Sequence, residues 1–250
     1  RDHTGIDRVD LETGRATPVI RNIEPSFMTV GPDGNFYVFP WTDNGRAPIQ
    51  VYDAQGKVVR TIGKPGGIQP GAWDPQRFGQ IAGLSVDRTG NVWVVEAQDY
   101  PRRMLQYKSD GTLIKEITGN TFYGGAGGGG LNRYNNARAW YGPVEFEIDW
   151  QKHASRIRSF LGNSIGGDFV AVRVKGRSET YLATAPCSLG DRQSAGTVYL
   201  YDEAAGTARM VAAVGDAESF GAIRTSRVIS LLKGDVPKGF TFMWSDRNGY

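Results

Sequence analysis

The chain has 250 residues, a formal net charge of +3, 40% hydrophobic and 22% charged residues, the composition of a globular protein with enough apolar material for a full core. No apolar run approaches the roughly 20 residues that a membrane helix needs, which excludes that class of span. A single cysteine, Cys187, excludes an intrachain disulfide and any multi-cysteine metal site, and so small a net charge gives no ground for a nucleic-acid partner.

The chain opens on Arg1 with neither a methionine nor a charged-then-apolar leader, which predicts a processed product or a piece of a longer protein. Thirty-four glycines fall between short β-branched and aromatic runs, as turns between strands would place them, and this predicts an all-β fold. A first hairpin recurs: MTVGPDGNFYVF, residues 28–39, aligns with LSVDRTGNVWVV, residues 84–95, matching Val30 with Val86, Gly34 with Gly90, Asn35 with Asn91, Tyr37 with Trp93 and Val38 with Val94. A second hairpin recurs five times, as in IQVYDAQGKVVRTIG and MLQYKSDGTLIKEITG. Gly14, Gly56, Gly111 and Gly206 stand at the turn position that wants a positive φ. In the remaining copy His153 stands there, and histidine is among the few other residues that tolerate it.

The turn-to-turn spacings of 42, 55, 42 and 53 residues are those of propeller blades, each a four-stranded antiparallel sheet. Blades are expected at 27–62, 83–117, 138–160 in degenerate form, and 168–214. An outer hairpin alone is expected at 6–20, and an inner one alone at 226–244. The two half-blades could join and close a ring of five, or residues 1–250 could be one segment of a larger propeller. The abrupt ending SDRNGY favours the segment.

Residues 70–119, PGAWDPQRFGQIAGLSVDRTGNVWVVEAQDYPRRMLQYKSDGTLIKEITG, resemble the NHL repeat. They carry its PGQF-like lead, its hairpin with the GN turn, an acidic strand end and an aromatic-x-x-x-G turn. Residues 28–63 look like a looser copy. Glu96 stands where that family usually has Asp, Phe39 holds the same place in the other copy, and the 138–160 region lacks the GN hairpin. The resemblance implies a propeller of the six-bladed, TolB-like and lactonase-like superfamily. That superfamily spans binding platforms as well as lyases and lactonases, so it implies a fold more than an activity.

In a propeller the strands bury one another, so the loops carry function. The loops PWTDNGRAP and AQDYPRR bring Trp41, Asp43, Arg46, Asp99, Tyr100, Arg102 and Arg103, aromatic rings for stacking beside guanidinium forks for oxyanions. APCSLGDRQSAG adds Asp191 and Arg192, and the connector KPGGIQPGAWDPQRFGQ adds Trp73 and Arg77. The competing structural reading pairs each Arg with a neighbouring Asp and packs the Trp rings between blades. With 21 arginines against 8 lysines, an anionic ligand suits the loop surface.

GNTFYGGAGGGGLNRYNN contains a formal G-x-G-x-x-G but no strand-then-helix context, so it reads as a loop rather than a dinucleotide site. His3 and His153, at a terminus and a turn, predict no zinc site within the chain. The expected function is a non-catalytic binding platform for a protein, glycan or anionic polymer. It needs no cofactor, belongs to an exported, bacterial-type protein of the periplasm or the extracellular space, and works beside further blades or domains of its parent chain. The alternative implied by the resemblance is a lactonase- or lyase-like hydrolase with an axial Ca²⁺, for which Glu96, Asn120 and Asp168 are the nearest candidate ligands.

Overall fold

The computed structural model describes residues 4–41, 47–97, 101–119, 129–162, 169–184, 195–216 and 241–246. The chain packs as two compact units, one of Arg1–Gln69 with Asp74–Thr121, the other of Pro70–Trp73 with Phe122–Tyr250.

In the first unit, β1 (Gly5–Val9) and β2 (Ala16–Arg21) form a two-stranded hairpin. The strands β3 (Pro25–Val30), β4 (Phe36–Pro40), β5 (Ile49–Tyr52) and β6 (Val58–Ile62) follow as one antiparallel meander in chain order. After β7 (Gly71–Ala72), which joins the second unit, β8 (Ile81–Val86), β9 (Val92–Glu96), β10 (Arg103–Tyr107) and β11 (Leu113–Thr118) repeat that meander. Successive side chains of a strand point to opposite faces, so β4 serves two cores at once. Phe36 and Val38 pack with Ile6, Ile20 and Ile23 of the hairpin region. Tyr37 and Phe39 pack with Val92, Val94, Leu105 and Tyr107 of the next sheet. This is why all five residues of β4 are buried, and β3 lies beside β8 as the two sheets stack.

The repeated first hairpins keep one interaction while moving the residue that makes it. In the second copy Asp87 accepts hydrogen bonds from the Asn91 amide N–H at 3.0 Å and the Trp93 indole N–H at 2.9 Å. In the first copy the acid sits two residues later, as Asp33, and accepts from the Asn35 amide N–H at 3.1 Å and the Tyr37 hydroxyl at 3.0 Å. Gly31 occupies the place of Asp87 there. A Cβ on Gly31 would stand 2.6 Å from the Asp33 carboxylate and 2.7 Å from the Tyr37 ring, so the shifted acid requires a residue without one.

In the second unit, β12 (Gly129–Leu131), β13 (Arg138–Tyr141), β14 (Val144–Asp149) and β15 (Ala154–Phe160) form a meander that β7 extends at the β15 edge. The strands β16 (Phe169–Arg173), β17 (Thr180–Thr184), β18 (Ala195–Asp202), β19 (Thr207–Asp216) and β20 (Thr241–Ser245) form the other sheet in that order. Trp140 packs with Phe169, Leu182, Tyr199 and Tyr201, and its ring meets that of Tyr201 edge-on at 5.7 Å.

One expectation from sequence needs correction here. The glycine-rich stretch expected as loop ends in a strand, because Gly130 pairs with Trp140 while its α-carbon lies so close to β16 that a Cβ would come within 2.1 Å of the Phe169 carbonyl oxygen. Glycine serves close packing there rather than freedom. Of the inner hairpin expected at 226–244, residues 226–240 lie outside the described residues, and Thr241–Ser245 pair with β19 of the preceding sheet.

The second-hairpin turns have the expected backbone: φ is +69°, +76°, +90° and +67° at Gly14, Gly56, Gly111 and Gly206, and +49° at His153. A side chain in this conformation costs roughly 1 kcal/mol. His153→Gly is therefore expected to be neutral or to stabilise the fold by up to about that amount in urea denaturation; a clear loss of stability would show that the imidazole holds the turn.

The Thr89 hydroxyl and the Trp93 indole N–H hold the Asp87 carboxyl well below the usual carboxylate range. A group whose folded pKa is depressed contributes stability above its unfolded value, near pH 4, and that contribution fades as pH falls toward the folded value. The thermal midpoint should thus decline below about pH 4, and Asp87→Asn should flatten part of that decline. An unchanged acid limb in the variant would mean that Asp87 is not linked to folding.

Candidate functional site

Glu96 ends β9 and Arg103 begins β10, and the antiparallel register sets them directly opposite each other. Both share the strand face of Val94 and Leu105, so the fold drives the two charges into the core, where both side chains are 0% exposed. Arg103 Nε donates to Glu96 Oε2 at 2.5 Å and Arg103 Nη2 to Oε1 at 3.1 Å, while the Gly79 amide N–H donates to Oε1 at 2.9 Å. The other guanidinium protons go to Glu116 at 2.9 Å and to the carbonyls of Pro75 and Arg77. Tyr107 also donates to the Pro75 carbonyl, at 3.0 Å. Burial pushes the Glu96 carboxyl up, against the opposing pull of Arg103, and Glu96 in turn raises Arg103 against its own desolvation. The cluster binds the connector before β8 to strand β10.

A second buried carboxylate lies in the other unit. Glu145 on β14, 0% exposed, accepts from the Tyr201 hydroxyl at 2.6 Å, Arg158 Nη1 at 2.7 Å and the Ser159 hydroxyl at 2.6 Å. Tyr201 belongs to β18, so this cluster joins two sheets. Burial and the adjacent Glu145 push the Tyr201 hydroxyl up. Sequence reasoning missed Glu145, Arg158 and Tyr201. The available signal was a period-2 pattern of acids at 145, 147 and 149 facing arginines at 156 and 158 across one hairpin.

Of the residues expected on the loop surface, Trp41 follows β4 and is 62% exposed, with its backbone N–H on the Glu24 carbonyl. Arg102 is half-buried at the start of β10, and its carbonyl accepts the Gly119 N–H at 2.7 Å. Arg103 is corrected: it was expected in an exposed loop, but the strand register turns it inward, where two carboxylates neutralise it. Arg77 follows the competing structural reading, since it lies 3.6 Å from Asp74 and donates to the Pro65 carbonyl at 2.8 Å. Trp73 lies beside β7 in the second unit, its N–H on the Arg158 carbonyl. Asp43, Arg46, Asp99, Tyr100, Asp191 and Arg192 lie outside the described residues.

Of the candidate Ca²⁺ ligands, Asn120 and Asp168 likewise lie outside the described residues. Glu96 does not fit the role. A divalent cation at its oxygens would stand against the Arg103 guanidinium and would displace its N–H donors. Among the described residues no group of three or more His, Cys, Asp or Glu is placed to hold a metal ion, and no helix is long and apolar enough to cross a membrane.

No protein-family model matches the sequence. No curated protein matches it either. Solved structures similar to the chain include one from a nidogen–laminin complex, at 14% identity and TM-score 0.35, over 82% of this chain and 70% of that one. A second is a quinoprotein alcohol dehydrogenase-like protein from Bacteroides thetaiotaomicron, at 12% identity and TM-score 0.32, over 83% of this chain and 50% of that one. A third, from Lactobacillus plantarum, has 9% identity and TM-score 0.31, over 82% of this chain and 62% of that one. The chain thus spans between half and about two thirds of the length of these last two. The fold is all-β, with four- and five-stranded antiparallel sheets beside the two-stranded β1–β2 hairpin.

Removing one partner of a buried ion pair leaves the other charge without compensation, at a cost of about 3–5 kcal/mol. Arg103→Ala should therefore lower unfolding stability by about that much, whereas Arg102→Ala should change it by less than about 1 kcal/mol. Equal effects of the two changes in urea denaturation would contradict the division between the fully buried, ion-paired Arg103 and the half-buried Arg102.

Proposed function

We propose that the chain is a non-catalytic, NHL-type propeller platform that binds a protein, glycan or anionic polymer through its loops. The observation that carries this reading is the state of Glu96 and Glu145. Among the described residues these are the carboxylates most withdrawn from water, hence the groups best suited to acid–base work, and both have their oxygens engaged by arginine and hydroxyl or amide donors. They hold strands and connectors together. The loop residues stand elsewhere, with Trp41 exposed just after β4 and Arg102 half-buried just before β10, on the connections between the second and third strands of two equivalent sheets. Asp43, Arg46, Asp99 and Tyr100 extend the proposed surface, and the parent protein is proposed to be exported, to the periplasm or beyond the cell.

Dextran sulfate serves as the probe for an anionic polymer. Its affinity should fall as ionic strength rises to the physiological range, where the screening length is about 8 Å. Arg102→Ala and Trp41→Ala should each weaken binding by about three- to tenfold, with the thermal midpoint nearly unchanged. Binding that ignored both substitutions would place the ligand away from these loops.

A further inference from the structure

The β14–β15 turn of the second unit presents a tryptophan to solvent in a fixed orientation. Trp150 is 55% exposed. Its backbone is set by Asp149, whose Oδ1 accepts the N–H groups of Gln151 at 3.1 Å and Lys152 at 3.0 Å, and by the left-handed His153 that closes the turn. Its ring is set by the indole N–H, which donates to the Asn136 carbonyl at 2.8 Å. Both the main chain and the side chain are thus tied down while the flat ring stays open, so a stacking partner would meet little ordering cost.

A hollow opens beside this ring, lined among others by Glu147, Asp149, Gln151, Lys152 and Arg156. Arg156 donates to Glu147 at 2.6 Å and Lys152 lies 3.3 Å from Asp149, while the two basic side chains remain 79% and 81% exposed. Donors and acceptors are therefore both present around the hollow, with their charges locally balanced. A pyranose sugar has the matching chemistry: an apolar C–H face for the indole, and a rim of hydroxyls that each donate and accept. An anionic polymer matches less well, because Glu147 and Asp149 face the same hollow.

We propose that the Trp150 hollow binds a neutral sugar ring of a glycan, stacked on the indole and hydrogen-bonded by the side chains around it. The site lies in the other unit from Trp41 and Arg102, so it names a glycan for the platform reading and yet can fail or stand apart from the loop surface.

The test is electrophoresis of the whole chain through native gels containing mixed-linkage β-glucan, xylan or galactomannan, with dextran sulfate as the anionic control. The expected result is retardation by at least one neutral polysaccharide, unchanged between low and physiological salt. Trp150→Ala should weaken that retardation at least about tenfold, and Trp150→Phe, which keeps a ring but not the N–H, should retain part of it. Circular dichroism of each variant should match that of the parent. Retardation by none of the neutral polysaccharides, or equal retardation of the folded Trp150→Ala chain, would overturn the proposal. Retardation by dextran sulfate alone would overturn it too while leaving the loop surface standing.

Discussion

A strand covered on both faces has no side on which to leave an uncompensated charge, and that constraint governs how these sheets are built. β4 shows its apolar form, with alternate residues assigned to two different cores. β9 and β10 show its polar form. Glu96 and Arg103 occupy positions that the register turns inward, and each is tolerated because the other, together with the amide of Gly79, meets its charge and its hydrogen bonds. The remaining protons of Arg103 then take up carbonyls of the connector before β8, so a local charge problem becomes the means of placing a loop.

The same constraint is met in the second unit by a different set of residues. Glu145 lies near the start of β14, the central strand of its sheet, and its donors come from its own hairpin and from Tyr201 of the next sheet. The pairs of hairpins behave alike: Asp33 and Asp87 differ by two positions yet both reach the polar tip of the aromatic residue that follows. What recurs along the chain is therefore an interaction and its geometry, while the residue that supplies it drifts. Such drift leaves period and turn positions intact and erodes motif identity.

Surface chemistry is distributed differently from core chemistry. The inward charges are matched within a few ångströms, whereas Trp41 and Trp150 stand out from their strand ends and turns with much of the ring uncovered. Trp150 adds a fixed orientation, which an idle surface residue has no need of.

Turn chemistry and alternation were legible in the chain itself. The positive-φ positions, including His153, follow from which residues lack or tolerate a Cβ clash, and the all-β meanders follow from the two-residue period between those turns. These are local properties, set within a dozen residues. Which face of a strand a given charge would occupy, and what would meet it there, depended on register and on neighbours distant in sequence. Arg103 read as a loop residue because it adjoins Pro101 and Arg102, and one step further into the strand turned it into the core. Gly130 read as loop because glycine is permissive, and only the approach of Phe169 showed that its use was to let two strands touch. Glu145 and Tyr201, 56 residues apart, share a hydrogen bond that no local pattern announces, because it comes from one sheet packing on another.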